Sequence, residues 1–172
     1  MDVNQEIVKE YFQRCKGYFV LEDVGFKRGS YPSDIDLLAL DPKNADAPVL
    51  AVEVKWRGSA KIHEGEDKAS SIHKIISQIN DPYRVQRIRE IIGQRNFENI
   101  FITSLHAFGE KDSTRKKHIE GFVNAGISVK FFEDIIDELV MEIGKSGKYT
   151  TAISQTIRML KYYDHIKEKK KK

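Results

Sequence analysis

Three charged residues stand inside segments that otherwise have the composition of buried strands. Asp36 lies in the run "SDIDLLAL" at 33–40, and Glu53 and Lys55 lie in the run "PVLAVEVKW" at 48–56. A charge inside a core strand costs free energy unless it is paired or takes part in chemistry. These three residues are therefore the first candidates for a functional site.

Strand geometry predicts how these charges are arranged. Side chains alternate across a strand, so Asp34 and Asp36 share one face, and Glu53 and Lys55 share one face of the next strand. If the two strands pair, Asp36 and Glu53 can meet at one end of the sheet, since neighbouring strands lie about 4.7–4.9 Å apart. Two carboxylates at that spacing can bind one hard divalent cation such as Mg²⁺.

Lys55 would add a positive charge on the same face as Glu53. An ammonium there can orient or help deprotonate a water molecule and can offset the negative charge that develops when a phosphoryl group is attacked. The alternative is that Glu-x-Lys forms an exposed face or a cross-strand ion pair. Asp34 is either a further acid of the site or a turn residue, and the turn is favoured.

Hydrophobic periodicity and turn residues predict the order αβββα(α)βαβαα. A helix is expected at 3–16, with Asp2 and Gln5 forming a capping box, and a loop is expected at 25–33. The strands are expected at 18–24, 34–40, 49–56, 99–105 and 127–132, and helices fill the longer connections. The first three strands can form an antiparallel meander, and the later crossover helices imply a mixed sheet covered by helices on both faces. The predicted fold class is α/β.

Composition limits the class of protein. The chain has 172 residues, 40% hydrophobic and 32% charged, which is typical of one globular domain spanning 1–172. It has no apolar run of about 18 residues, which argues against a membrane span. Its N-terminus is polar and acidic, unlike a signal peptide, and Cys15 is the single cysteine, so we expect a cytoplasmic protein.

The net charge of +3 comes from the C-terminal end of the chain. Residues 158–172 hold seven Lys or Arg and two acids, whereas the rest of the chain holds 22 basic and 24 acidic residues. Any affinity for nucleic acid must therefore come from local patches or from pairing two subunits. The basic tail at 167–172 is expected to be a solvated helix end.

The pattern "SDIDLLAL…AVEVKW" resembles the Asp…Glu-x-Lys signature of the PD-(D/E)xK, or restriction-endonuclease-like, nuclease superfamily. The resemblance covers about 3–132, where the predicted order contains the αβββαβ core of that superfamily, and leaves a helical extension at 133–166. It implies an endodeoxyribonuclease in which Asp36 and Glu53 bind Mg²⁺ or Mn²⁺ and Lys55 positions or activates the attacking water. The proline that gives the superfamily its name is absent, because Ser33 precedes Asp34 and Ile35 precedes Asp36.

Within the superfamily, the chain most resembles archaeal Holliday-junction resolvases and Mrr-like endonucleases. Members often carry a glutamate on the first helix, which implies Glu6, with Glu10 as the alternative, as a further member of the site. A junction resolvase would also need a symmetric homodimer, and the C-terminal stretch at 149–166 could either dimerise or cap the core. Junction resolution, repair and restriction all stay open as roles.

DNA contacts are expected near the acidic strand. The loop at 25–33 offers Lys27, Arg28 and Ser30 as phosphate contacts, with Arg57 and Lys61 as weaker candidates. Gln78 is a weak candidate for lining the site. The five histidines show no zinc-like spacing, and no glycine-rich phosphate loop is present. A non-catalytic DNA-binding module on the same fold and an acidic interaction protein are the alternative functions.

Overall fold

A computed structural model describes residues 2–56, 62, 71–145 and 151–169 of the chain. The elements follow the predicted order. They are α1 (Val3–Tyr11), a π-helical turn (Phe12–Lys16), β1 (Phe19–Arg28), β2 (Tyr31–Leu40), β3 (Val49–Lys55), α2 (Ile72–Ile79), α3 (Pro82–Ile92), β4 (Phe97–Thr103), a 3₁₀ turn (Leu105–Phe108), α4 (Asp112–Asn124), β5 (Ile127–Phe131), α5 (Phe132–Lys145) and α6 (Ala152–Lys169).

The five strands form one mixed sheet in the order β1-β2-β3-β4-β5. β1, β2 and β3 pair antiparallel, as expected for strands joined by short connections. β4 and β5 extend the sheet in parallel with β3, because helices carry the chain back between them. The predicted α/β class and the mixed sheet are confirmed.

Helices cover both faces of this sheet. Leu37, Val52 and Ile102 alternate out of the sheet on one side and pack with residues of α1 and α5. Leu38 and Ala51 face the other side, where they pack with Ile88 of α3, while α2 and α4 continue that layer around β4. The alternation of side chains therefore divides the core into two layers, as the sequence predicted.

The prediction of a loop at 25–33 is wrong. β1 and β2 run as one long hairpin, with pairs from Gly25–Asp34 to Arg28–Tyr31, and only Gly29 and Ser30 form the turn. Gly29 has φ +64°, which glycine adopts without strain. The glycine, serine and proline content indicated a loop, but cross-strand pairing overrides this local preference. Asp34 is consequently a strand residue and not the turn residue that was favoured.

The start of α6 docks onto α1 through Glu10. Glu10 is buried, and its Oε1 accepts hydrogen bonds from Thr151 Oγ1 at 2.9 Å and from Ser154 Oγ at 3.3 Å. The same carboxylate pairs with Arg14 in the π-helical turn that follows α1. Further along α6, Ile157 packs against the core whereas Leu160, Met159 and two tyrosines are exposed.

Among the described residues, no helix has the length and apolar character needed to cross a membrane.

We expect Glu10→Ala to lower the free energy of unfolding by about 2 kcal/mol, because it removes the buried carboxylate that accepts from Thr151 and Ser154 and pairs with Arg14. Urea denaturation followed by circular dichroism measures this change. Glu6→Ala, an exposed glutamate on the same helix, is the matched control and should change stability by less than about 0.5 kcal/mol. Equal stability of the two variants would contradict the anchoring role of Glu10.

Candidate active site

A polar cavity of about 320 Å³ lies where β2 and β3 meet α2 and α3. Its walls carry carboxylates and cations in nearly equal number: Asp34, Asp36, Glu53 and Asp81, with Arg28, Lys55 and Arg84. The three residues singled out by sequence, Asp36, Glu53 and Lys55, thus line one cavity. A concave site in which several charged side chains converge is a candidate ligand-binding site.

The end of the β2–β3 ladder creates this site. The two strands pair from Ala39–Leu50 to Leu37–Val52, and Asp36 and Glu53 are the next residues on each strand. Beyond that point β3 still pairs with β4, because the β3–β4 ladder covers the whole length of both strands. The N–H of Val54 donates to Asp36 Oδ2 at 2.6 Å. The Asp36 side chain therefore satisfies a backbone donor of β3 beyond the end of the β2–β3 ladder.

Gln5 of α1 holds the other oxygen of Asp36. Its Nε2 donates to Asp36 Oδ1 at 2.6 Å, and its Oε1 accepts the N–H of Asp2 at 3.0 Å in the predicted capping box. Gln5, and not the expected Glu6, therefore contacts Asp36 from α1. The structure does not bring Glu6 to this cavity. Successive residues are rotated by about 100° around a helix, and Glu6 is exposed beside a separate cavity with Lys9.

The environment of Asp36 favours its protonated form. Burial raises the pKa of Asp36 to about 7, and the negative charge of Glu53 acts in the same direction. The hydrogen bonds from Val54 and Gln5 lower that pKa in part, because they stabilise the carboxylate. Asp36 is consequently poised to change its charge near neutral pH, and a cation bound beside it would favour the ionised form.

Lys55 is held by two partners in the cavity wall. Its Nζ lies 3.0 Å from Glu53 Oε1 and donates to Gln78 Oε1 at 3.2 Å. The backbone carbonyl of Lys55 accepts a hydrogen bond from Thr103 Oγ1 at 2.7 Å, which ties this end of β3 to β4. Gln78, at the end of α2, therefore lies in the cavity wall and contacts the candidate lysine directly.

The donor set suits a hard divalent cation. Asp36 and Glu53 supply carboxylate oxygens, and the cavity has room for water ligands. In the part of the chain that the structure describes, no group of three or more His, Cys, Asp or Glu is arranged to hold a metal. A cation here would therefore be held by two carboxylates and completed by waters, an arrangement that Mg²⁺ commonly adopts.

The predicted DNA contacts are distributed around the hairpin. Arg28 lines the cavity, and its Nε lies 2.7 Å from Oδ2 of Asp81, the residue that caps α3. Lys27 lines a neighbouring cavity, and Ser30 is exposed in the turn. Arg57 and Lys61 lie outside the described residues.

The sequence did not indicate three of the residues around this cavity. Gln5 was recognised only as the partner of a helix cap, and Asp81 was not among the candidates, although it caps α3. Arg84 had a detectable signal, because it stands four residues before Ile88 on the buried stripe of α3, where a charge is unusual. Asp34 lies in β2 and contributes to the same wall.

Comparison of the chain with protein-family models, with curated proteins and with solved structures found no match.

Proposed function

We propose that the protein is a divalent-metal-dependent endodeoxyribonuclease of the PD-(D/E)xK type. The observation that carries the proposal is the convergence of Asp36, Glu53 and Lys55 in one polar cavity. The five-stranded mixed sheet, with three antiparallel strands first, agrees with a restriction-endonuclease-like core. The resemblance of the sequence motif supplies the expectation that the substrate is DNA.

Asp36 and Glu53 would hold Mg²⁺ or Mn²⁺. When bound, such an ion lowers the pKa of a coordinated water and stabilises negative charge on a phosphoryl group. The two strands fix their carboxylates at the end of a paired ladder, and Gln5 and Val54 orient Asp36. The protein therefore presents Asp36 with little freedom to reorient, which lowers the cost of binding the ion.

Lys55 would act on the attacking water or on the phosphate. Gln78 orients its ammonium within the cavity independently of Glu53. If Glu53 turned toward a bound cation and released Lys55, the ammonium would keep its hydrogen bond to Gln78 and stay available to the reacting groups. Water attacks phosphorus in line, the bond to the 3′ oxygen breaks, and that oxygen takes up a proton, leaving a 3′-hydroxyl and a 5′-phosphate.

Phosphates beside the cut would contact the β1–β2 hairpin. Lys27, Arg28 and Ser30 are exposed there, and Arg28 reaches the cavity wall. Outside residues 158–172 the chain has slightly more acidic than basic residues, so binding depends on such local contacts. We expect the affinity for DNA to fall with added salt, because phosphate contacts release counterions.

A cleavage panel tests the proposal. A four-way junction, a flap, a single strand and a plain duplex are each incubated with the protein in Mg²⁺, Mn²⁺ or EDTA. We expect cleavage of at least one DNA with either metal and none in EDTA, with 5′-phosphate ends on the products. Binding without cleavage of any substrate would contradict the proposal and favour a non-catalytic DNA-binding module.

Sedimentation of the protein with and without a four-way junction tests the resolvase version of the proposal. That version requires a homodimer that presents two cavities. A monomer in both conditions would exclude it while leaving a simple endonuclease.

A further inference from the structure

Arg84 of α3 is a buried cation in the wall of the proposed active site. Its exposure is 1%, and it lines the cavity together with Asp36 and Glu53. Its Nη1 donates to the carbonyl of Ile79 at 2.9 Å and to Asn99 Oδ1 at 2.8 Å. Both acceptors are neutral, so these contacts anchor the guanidinium without balancing its charge.

The other edge of the Arg84 guanidinium, formed by Nε and Nη2, is buried. Nε and Nη2 are enclosed and lack a hydrogen-bond partner among the described residues. Buried polar groups are nearly always hydrogen-bonded, so two unpartnered donors on one side chain need an explanation. Nε–H and one Nη2–H point in the same direction and form the fork that binds two oxygens of a phosphate or carboxylate side by side.

The two other cations that line the cavity are each paired with a carboxylate. Lys55 pairs with Glu53 at 3.0 Å and Arg28 pairs with Asp81 at 2.7 Å. Arg84 has no such ion pair in the part of the chain that the structure describes. Burial lowers the pKa of Arg84, while the charges of Glu53 and Asp36 act in the opposite direction. A guanidinium keeps its proton at physiological pH, so this is a permanent buried charge.

We propose that the Nε–Nη2 edge of Arg84 binds two non-bridging oxygens of a DNA phosphodiester when a divalent cation occupies Asp36 and Glu53. This step rests on the proposed nuclease function. The free carboxylates repel an anion, and a cation on them removes that repulsion. Both donor nitrogens are covered in the present conformation, so neighbouring side chains must move to admit the phosphate. A cation on Glu53 would release the contact between Glu53 and Lys55.

The Nε–Hε resonance of Arg84 in a ¹⁵N NMR spectrum tests this proposal without using cleavage. Dimethyl phosphate is the probe, because it has the single charge and the two non-bridging oxygens of a phosphodiester, and inorganic phosphate is the second arm. With Mg²⁺ present, we expect dimethyl phosphate to shift the resonance downfield in a saturable way. In EDTA the shift should be absent or much weaker.

Arg84→Lys is the test variant, since it keeps the charge and removes the fork. We expect it to weaken the binding of dimethyl phosphate by about tenfold, because charge-assisted hydrogen bonds to two oxygens are lost. Arg87→Lys is the matched control on the same helix. Arg87 donates to Glu90 and to the carbonyl of Gly25 outside the cavity, and its replacement should leave the affinity unchanged.

An unresponsive Arg84 resonance, an equal response in EDTA, or a response to inorganic phosphate alone would each overturn the proposal. If Arg84→Lys does not fold, the titration of the wild-type resonance decides. The outcome is separable from that of the nuclease proposal. Cleavage without a response of Arg84 removes only its role, whereas a response without cleavage of any DNA contradicts the nuclease and leaves an anion site.

Discussion

Lys55→Ala is expected to reduce Mg²⁺-dependent DNA cleavage by about 10²- to 10⁴-fold, the usual contribution of a positioned acid–base or electrostatic group. The ammonium of Lys55 is the cation that contacts both Glu53 and Gln78 in the cavity. Its removal leaves both cation ligands in place, so the loss should appear in the rate constant at saturating Mg²⁺. The initial rate on the best substrate of the panel measures it.

The fold of the Lys55→Ala protein should stay intact. The Lys55 side chain is 29% exposed and its ion pair with Glu53 is partly solvated, so its loss should change stability by about 1 kcal/mol or less. Lys161→Ala is the matched control, because Lys161 is an exposed lysine of α6 that donates to the carbonyl of Val140. Cleavage by Lys55→Ala at the rate of Lys161→Ala would contradict the proposed catalytic role of Lys55.

Asp36→Asn is expected to change how stability depends on pH. The pKa of Asp36 in the folded protein is about 7, above its ordinary value of 3.8, so the folded state retains a proton that the unfolded state has released. The contribution of Asp36 to the free energy of unfolding therefore falls as pH rises from about 4 to about 7 and then levels off. Each unit of pKa corresponds to about 1.4 kcal/mol, so the stability of Asp36→Asn relative to the wild type should rise by up to about 4 kcal/mol over that interval.

Urea denaturation at a series of pH values measures this difference. Asp46→Asn is the control, since Asp46 is an exposed carboxylate outside the cavity. Parallel pH profiles for the wild type and Asp36→Asn would contradict the assignment of a raised pKa to Asp36.

Mg²⁺ should separate the wild type from Asp36→Asn in a second way. A cation that binds the folded protein stabilises it in proportion to the logarithm of its concentration over its dissociation constant. At pH 8, where Asp36 is ionised, Mg²⁺ should raise the melting temperature of the wild type and leave that of Asp36→Asn nearly unchanged. An equal rise in both proteins would show that the cation binds elsewhere.

Local sequence patterns predicted the order of the elements and the three charged residues at the centre of the site. Periods of two and of about 3.6 residues are local properties, and they identified five strands and the helices between them. Alternation along a strand placed Asp36 on one face and Glu53 with Lys55 on one face of the next. The cost of burying charge made these residues conspicuous.

Contacts between distant parts of the chain select the side chains that complete the cavity. The rotation of α1, set by its cap at Asp2, brings Gln5 and not Glu6 to Asp36. Glu10 is engaged by the start of α6, a contact between residues 141 positions apart in the chain.

Long-range packing also explains the hairpin and the buried arginine. Cross-strand pairing extends β1 and β2 through a segment whose composition indicates a loop. Arg84 lies where α3 packs against the sheet, and its neutral anchors come from the end of α2 and from β4. Such contacts depend on how elements pack, and no local sequence pattern encodes the distance between residues that are far apart in the chain.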